Sequence, residues 1–117
     1  MNFYELLQTI KQNPNPYISR NSIFDFQAFY NGYSLTKSLF NLPITEEEQK
    51  FEDFLNWIME SYSPIELHCS WATIIFIYSA DEIDGLKKLF ELFEEYLEQQ
   101  EEKMLESSED LNDESEC

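Results

Sequence analysis

The sequence predicts an all-α, single-domain bundle of about five helices. Three observations predict it. Apolar residues recur at three- and four-residue spacing along most of the chain, helix-capping residues and prolines stand where helices would begin and end, and only one short segment favours a β-strand. The chain has 117 residues, of which 43% are hydrophobic, so it is long enough to form one core and one domain.

The first helix is predicted over about residues 2–12, and a proline turn follows it. Helical spacing relates four apolar residues: Phe3, Leu6, Leu7 and Ile10. The segment Asn13-Pro14-Asn15-Pro16 ends the helix, because proline lacks a backbone donor and disfavours helix in the residue before it.

A second helix is predicted to begin near Asn21 or Ser22, which are both good N-cap residues. Its apolar stripe comprises Ile23, Phe26, Tyr30 and Tyr33, with Phe29 beside it and Phe40 as its continuation. Gly32 interrupts this stripe, and the close approach of another segment would explain a glycine there.

A third helix is predicted after Pro43, where Thr45 and Glu48 have the spacing of a capping box. Its apolar face comprises Phe51, Phe54, Leu55, Ile58, Met59 and Tyr62. Ser63-Pro64 ends it.

Residues 71–78 are rich in β-formers and are compatible with either a buried strand or a short buried helix capped by Ser70. A strand would make the fold α+β. Helix is favoured, since helices flank the segment and no second strand is evident to pair with its backbone groups.

The longest helix is predicted to begin at a capping box formed by Ser79 and Glu82. Its apolar stripe comprises Leu86, Leu89, Phe90, Phe93, Tyr96 and Leu97. The stripe fades after about residue 100. The chain is therefore divided into a helical binding domain over 1–105 and an acidic, disordered tail over 106–117.

The charge balance restricts the possible partners. Seven basic residues stand against 24 acidic ones, a net charge of −17. Such a surface repels phosphate backbones and anionic membranes, so neither nucleic acid nor membrane is expected as a partner. Acidity alone can serve solubility, but a basic protein is the natural complement of this charge.

A cytoplasmic location is expected. The N-terminus lacks a basic segment followed by an apolar one, and no apolar run approaches the length of a transmembrane helix. Cys69 and Cys117, the two cysteines, are poorly placed to form a structural disulfide.

No catalytic site, metal site or cofactor is predicted. His68 and Cys69 are adjacent, but neighbours in sequence rarely have the geometry of a catalytic pair, and no third group is placed to orient them. One histidine and two distant cysteines do not supply a zinc site, and two glycines do not supply a phosphate-binding loop.

The predicted partner-binding residues are carboxylates on the third and last helices, for which ordinary helix capping and solubility are the alternative explanation. They are Glu46, Glu47, Glu48, Glu52, Asp53, Glu60, Asp84, Glu91, Glu94, Glu95 and Glu98. Five aromatics are core candidates that could instead anchor an interface: Tyr17, Tyr33, Trp57, Tyr62 and Trp71.

The order of several motifs resembles that of small bacterial immunity proteins of contact-dependent growth inhibition and other toxin-immunity loci. The resemblance covers about residues 3–97. Its motifs are Asn13-Pro14-Asn15-Pro16-Tyr17-Ile18, Ser22-Ile23, Phe26, Phe29, Gly32-Tyr33, Trp57, Tyr62, Trp71, Ile74-Ile75, Phe90, Phe93 and Tyr96. Asn13, Asn15 and Pro16 stand where those proteins carry a basic residue, glycine and methionine.

The resemblance implies a cytoplasmic immunity protein that neutralises a cognate toxin domain. Many such toxins are nucleases with basic active sites, which an acidic protein would occlude. The alternative function is an acidic regulator or nucleic-acid mimic that inhibits a nucleic-acid-binding protein.

Overall fold

The computed structural model describes residues 1–62 and 70–116, with side chains described as far as residue 105. These residues form five helices: α1 (Phe3–Gln12), α2 (Ile23–Leu39), α3 (Glu46–Tyr62), α4 (Trp71–Ile77) and α5 (Glu82–Glu116). The predicted all-α fold is confirmed. The ambiguous segment forms helix α4, and the described ranges contain no strand.

Most helix starts follow the predicted capping chemistry. Ser22 caps α2, and Ser70 caps α4 by accepting a hydrogen bond from the Thr73 amide. At α3, the amide of Glu48 donates to Thr45 Oγ1 and the amide of Thr45 donates to Glu48 Oε1, each over 3.2 Å, which is the predicted capping box.

The predicted cap of α5 is wrong by two residues. Ser79 donates its hydroxyl to the Ile75 carbonyl at the end of α4 and therefore does not cap α5. Instead Asp81 Oδ1 accepts from the Asp84 amide at 2.7 Å, and Asp84 reaches back to the Ala80 amide at 2.8 Å. Helix α5 therefore begins at Glu82, two residues later than a cap at Ser79 would place it, and the Ser79 hydroxyl serves the last turn of α4.

The core is an aromatic cluster to which every helix contributes. Phe26 of α2 and Phe51 of α3 are fully buried at its centre, and their rings lie 6.3 Å apart. Phe3 of α1, Trp71 of α4 and Phe93 of α5 surround them. Such rings bury large areas and favour the tilted and edge-on contacts seen here. This core fixes the relative positions of the helices.

The close approach that the sequence predicts at Gly32 occurs instead at Gly85. A Cβ atom at Gly32 would meet nothing within 4 Å, so the close approach predicted at Gly32 is wrong. A Cβ atom at Gly85 would lie 3.2 Å from Ile23 Cγ2, because the first turns of α5 pack closely on the start of α2.

Helix α2 ends one residue earlier than its apolar stripe predicts. Asn41 adopts a left-handed conformation with φ of 54°, and the Leu42 amide donates to the Lys37 carbonyl at 2.9 Å. This is a Schellman motif, in which asparagine tolerates the left-handed conformation better than most residues. Phe40 consequently leaves the core and is 73% exposed, so its predicted place on the buried stripe is wrong.

Helix α5 continues to Glu116, beyond the point where its apolar stripe fades. The division into a domain over 1–105 and a disordered tail over 106–117 stays a prediction. Within residues 1–62 and 70–116, no helix combines the length and apolarity needed to cross a membrane.

Candidate protein-binding surfaces

The acidic surplus persists in the part of the chain whose side chains are described. Seven of the 24 acidic residues lie outside that part, which leaves 17 acidic and seven basic residues and a net charge of −10. Four basic residues are used in ion pairs: Lys11 with Glu94, Arg20 with Asp25, Lys37 with Glu48 and Lys88 with Asp84. Thirteen carboxylates are therefore left without an ion pair among these residues.

The carboxylates of α3 do not form one open acidic face. Glu46, Asp53 and Glu60 are exposed, and Glu47 is half-buried. Glu48 is only 8% exposed and accepts hydrogen bonds from Lys37 and Thr45. The structure thus places Glu48 in an internal ion pair between α2 and α3 rather than on the surface.

Two tyrosines of α2 extend this internal polar cluster. The Tyr30 hydroxyl donates to Glu52, so Glu52 is also held by an intramolecular contact. Burial and this hydrogen bond raise the pKa of Tyr30 well above its ordinary value. Burial, together with a hydrogen bond to Glu48, raises the pKa of Tyr33 to about 12. Both tyrosines therefore stay neutral donors at physiological pH.

Replacing Glu48 with glutamine is expected to destabilise the protein by about 1–3 kcal/mol at neutral pH, because it leaves Lys37 largely buried without its charged partner. Burial alone would raise the pKa of Glu48, but hydrogen bonds from Lys37 and Thr45 outweigh it and hold the pKa below the ordinary value of a glutamate. A lowered pKa stabilises the fold above the unfolded-state pKa, and the contribution is lost as pH falls through the folded-state pKa.

Urea unfolding of both proteins from pH 7 down to pH 3 measures this contribution. The difference in unfolding free energy between wild type and Glu48→Gln should shrink below about pH 4.5. Glu46→Gln, on the same first turn but exposed, is the matched control and should change stability by less than about 0.5 kcal/mol. A pH-independent difference for Glu48→Gln would contradict the assignment.

The carboxylates of α5 point in several directions. Glu94 faces α1 and pairs with Lys11 at 2.9 Å, while Asp84 accepts from the Ala80 amide in the cap of its own helix and pairs with Lys88. Glu91 and Glu95 line a groove, and Glu98 is exposed further along the helix. The predicted acidic face of α5 is therefore divided among an interhelical ion pair, a cap and a groove.

The groove lies where the ends of α3 and α4 meet the first half of α5, and it encloses about 370 Å³. Four apolar side chains line it, together with two tyrosines and three charged residues. The lining is Ile58, Tyr62, Ile74, Ile75, Tyr78, Lys88, Glu91, Leu92 and Glu95. A few charged groups around an apolar groove are typical of sites that bind part of another molecule.

A second apolar surface lies at the corner between α2 and α3. Five large hydrophobic side chains there are at least half exposed: Leu35, Leu39, Phe40, Leu42 and Ile44. Sequence reasoning missed this surface because it assigned Phe40 to the core. The Schellman motif at Asn41 turns the chain outward here, and an asparagine after a helix is the feature that could have indicated it.

The candidate aromatic anchors separate into core and surface residues. Trp71 is buried, whereas Tyr17, Tyr33 and Trp57 are half-buried against the core. Tyr62 is 40% exposed at the edge of the groove and is the only one of the five with an exposed ring. Tyr78, which the sequence did not single out as an anchor, lies across from it with ring centroids 6.2 Å apart.

The His68–Cys69 pair and Cys117 lie outside the described residues. Among the side chains that are described, no group of three or more histidines, cysteines and carboxylates is arranged to hold a metal ion. Comparison with protein-family models, with curated proteins and with solved structures finds no match to this chain.

Proposed function

We propose that this protein is a bacterial immunity protein that binds a basic toxin domain, expected to be a nuclease, and neutralises it. The observation that carries the proposal is the surplus of carboxylates on α3 and α5 that form no ion pair with any side chain described in the structure. The order of motifs in the sequence, which resembles that of immunity proteins of toxin-immunity loci, supports the same function.

The mechanism is occlusion of the toxin's active site or substrate-binding surface. A nuclease cleft carries Lys and Arg side chains for the phosphate backbone, and carboxylates held on rigid helices can pair with them. Long-range attraction between opposite charges makes the encounter fast and selective. Exposed aromatic and apolar groups beside the acids supply the contact area that charge alone does not.

Co-expression with the cognate toxin domain tests the proposal. Cells that carry the toxin domain should survive only when this protein is also made, and the two chains should elute as one complex in size-exclusion chromatography at low salt. The control variant is Phe26→Ala, which tests whether protection requires the folded chain. Phe26 is fully buried in the core, so its replacement should destabilise the fold and abolish protection. The proposal would be contradicted if cells that make both wild-type proteins died and the two chains eluted separately.

A further inference from the structure

We propose that the groove between α3, α4 and α5 binds an arginine side chain of the partner, with an apolar residue next to that arginine on the groove floor. This inference rests on the proposed function, since it assigns the groove to the basic partner. The groove joins an apolar floor, two tyrosine rings and two carboxylates at one place on the surface.

The apolar part of the groove suits a flat, weakly hydrated group. Of the floor residues, Ile58, Ile74 and Ile75 are nearly fully buried, so the accessible apolar surface of the floor comes mainly from half-buried Leu92. The Tyr62 and Tyr78 rings stand above them, 40% and 59% exposed, with an angle of 67° between their planes. A guanidinium can stack on such a ring, and the aliphatic part of the same side chain can pack on the floor.

The charged part of the groove selects a cation. Glu91 and Glu95 are one helical turn apart and exposed, and neither forms an ion pair within the described part of the chain. Lys88 also lines the groove, but its ammonium is held by Asp84 at 3.4 Å and donates to the Tyr78 carbonyl. The carboxylates of Glu91 and Glu95 are therefore available to bind a ligand.

The same features favour arginine over lysine. A guanidinium has five donors in a planar fork, so it can bond to two carboxylates or to both oxygens of one while its face rests on tyrosine. An ammonium is compact and strongly hydrated, and it gains less from an apolar groove.

The apolar surface at the corner between α2 and α3 does not offer carboxylates that are open to a ligand. Glu48 and Glu52, the carboxylates at the corner between α2 and α3, are already bound to Lys37 and Tyr30. A cation arriving there would have to displace an internal partner. The corner can contribute apolar contact area, but the α3–α4–α5 groove combines apolar and aromatic groups with carboxylates that have no internal partner among the described residues.

An NMR titration of the ¹⁵N-labelled full chain with two short peptides tests the assignment. The probes are acetyl-Gly-Leu-Arg-Gly-amide and the same peptide with citrulline, a neutral isostere, in place of arginine. The arginine peptide should give saturable shifts confined to the ends of α3 and α4 and to the Lys88–Glu95 stretch of α5, and the citrulline peptide should not.

Two double variants with equal charge change separate the groove from the general acidic field. The double variant Glu91→Gln, Glu95→Gln should bind the arginine peptide about tenfold or more weakly than wild type, which is the loss expected when a charge-assisted contact is removed. Glu98→Gln with Glu102→Gln, exposed on the same helix, should change its affinity by less than about twofold. All four residues are exposed, and the spectra themselves report whether each variant is folded.

Equal weakening by the two double variants, or shifts scattered over every acidic helix, would overturn the groove assignment. So would equal binding of the citrulline peptide. Protection of cells by the Glu91→Gln, Glu95→Gln variant, with an undiminished affinity for the toxin domain, would also overturn the assignment while leaving the proposed function intact. Site-specific binding of the arginine peptide by a chain that protects no cells would instead contradict the proposed function alone.

Discussion

Replacing Phe51 with alanine should destabilise the protein by about 3–5 kcal/mol, a large part of the stability of a domain this size. The Phe51 side chain is fully buried, and its ring lies against rings from four different helices. Its neighbours, with centroid distances of 5.0 to 6.3 Å, are Phe3, Phe26, Tyr30, Phe54 and Phe93. Alanine would remove all five contacts and leave a cavity. The helices around it are held by the rest of the core, so they cannot move inward far enough to fill it.

Urea unfolding followed by circular dichroism measures this effect. Phe40→Ala is the matched control, because it removes the same side chain from a position that is 73% exposed, and it should change stability by less than about 0.5 kcal/mol. If the two variants were equally stable, the aromatic cluster centred on Phe51 would not be the core of this fold.

Neutralising three exposed carboxylates should slow association with the basic toxin domain by about tenfold at low salt and leave the fold unchanged. The changes are Asp53→Asn, Glu60→Gln and Glu98→Gln, on the outer surfaces of α3 and α5 and outside the groove lining. None of the three carboxylates forms an ion pair within the described ranges, so their main electrostatic effect should fall on the partner.

Stopped-flow mixing gives this association rate. High salt is the internal control, because at about 0.5 M the screening length falls to a few ångströms and the rates of wild type and variant should converge. A difference that persists unchanged at high salt would mean that the three residues act through direct contacts or folding rather than through attraction at a distance.

The helices were predictable wherever local chemistry decides the structure. The capping box of Thr45 and Glu48 and the N-cap serines Ser22 and Ser70 all lie where sequence rules place them. The segment from Trp71 to Ile77 is rich in β-formers, but helix is favoured because helices flank it and no strand partner is evident, and helix is what the structure shows.

Local rules failed where two elements compete for one residue. Ser79 has the spacing of a cap for α5, yet its hydroxyl bonds to the last turn of α4, and Asp81 caps α5 instead. Phe40 continues an apolar stripe in sequence, yet the left-handed turn at Asn41 takes it out of the helix. Neither outcome follows from periodicity alone, because each depends on where the neighbouring element begins.

The candidate site was predictable in composition but not in geometry. The sequence predicts partner-binding carboxylates on the third and last helices, but not that Glu48 turns inward to Lys37 or that Glu94 pairs with Lys11 of α1. The groove combines residues from three helices, and its second tyrosine, Tyr78, is the last residue of the segment 71–78 that the sequence predicts to be buried. Such a site is created by tertiary packing, so no single helix pattern contains it.

The most direct test of the central claim, that this acidic helical domain exists to bind a basic protein, is the salt dependence of that association. The rate constant of the wild-type chain with its cognate toxin domain should fall by about tenfold or more as ionic strength rises from about 0.01 M to 0.15 M. A rate that stays constant over this range would contradict the claim, because association would then owe nothing to the excess of carboxylates that sets this surface apart.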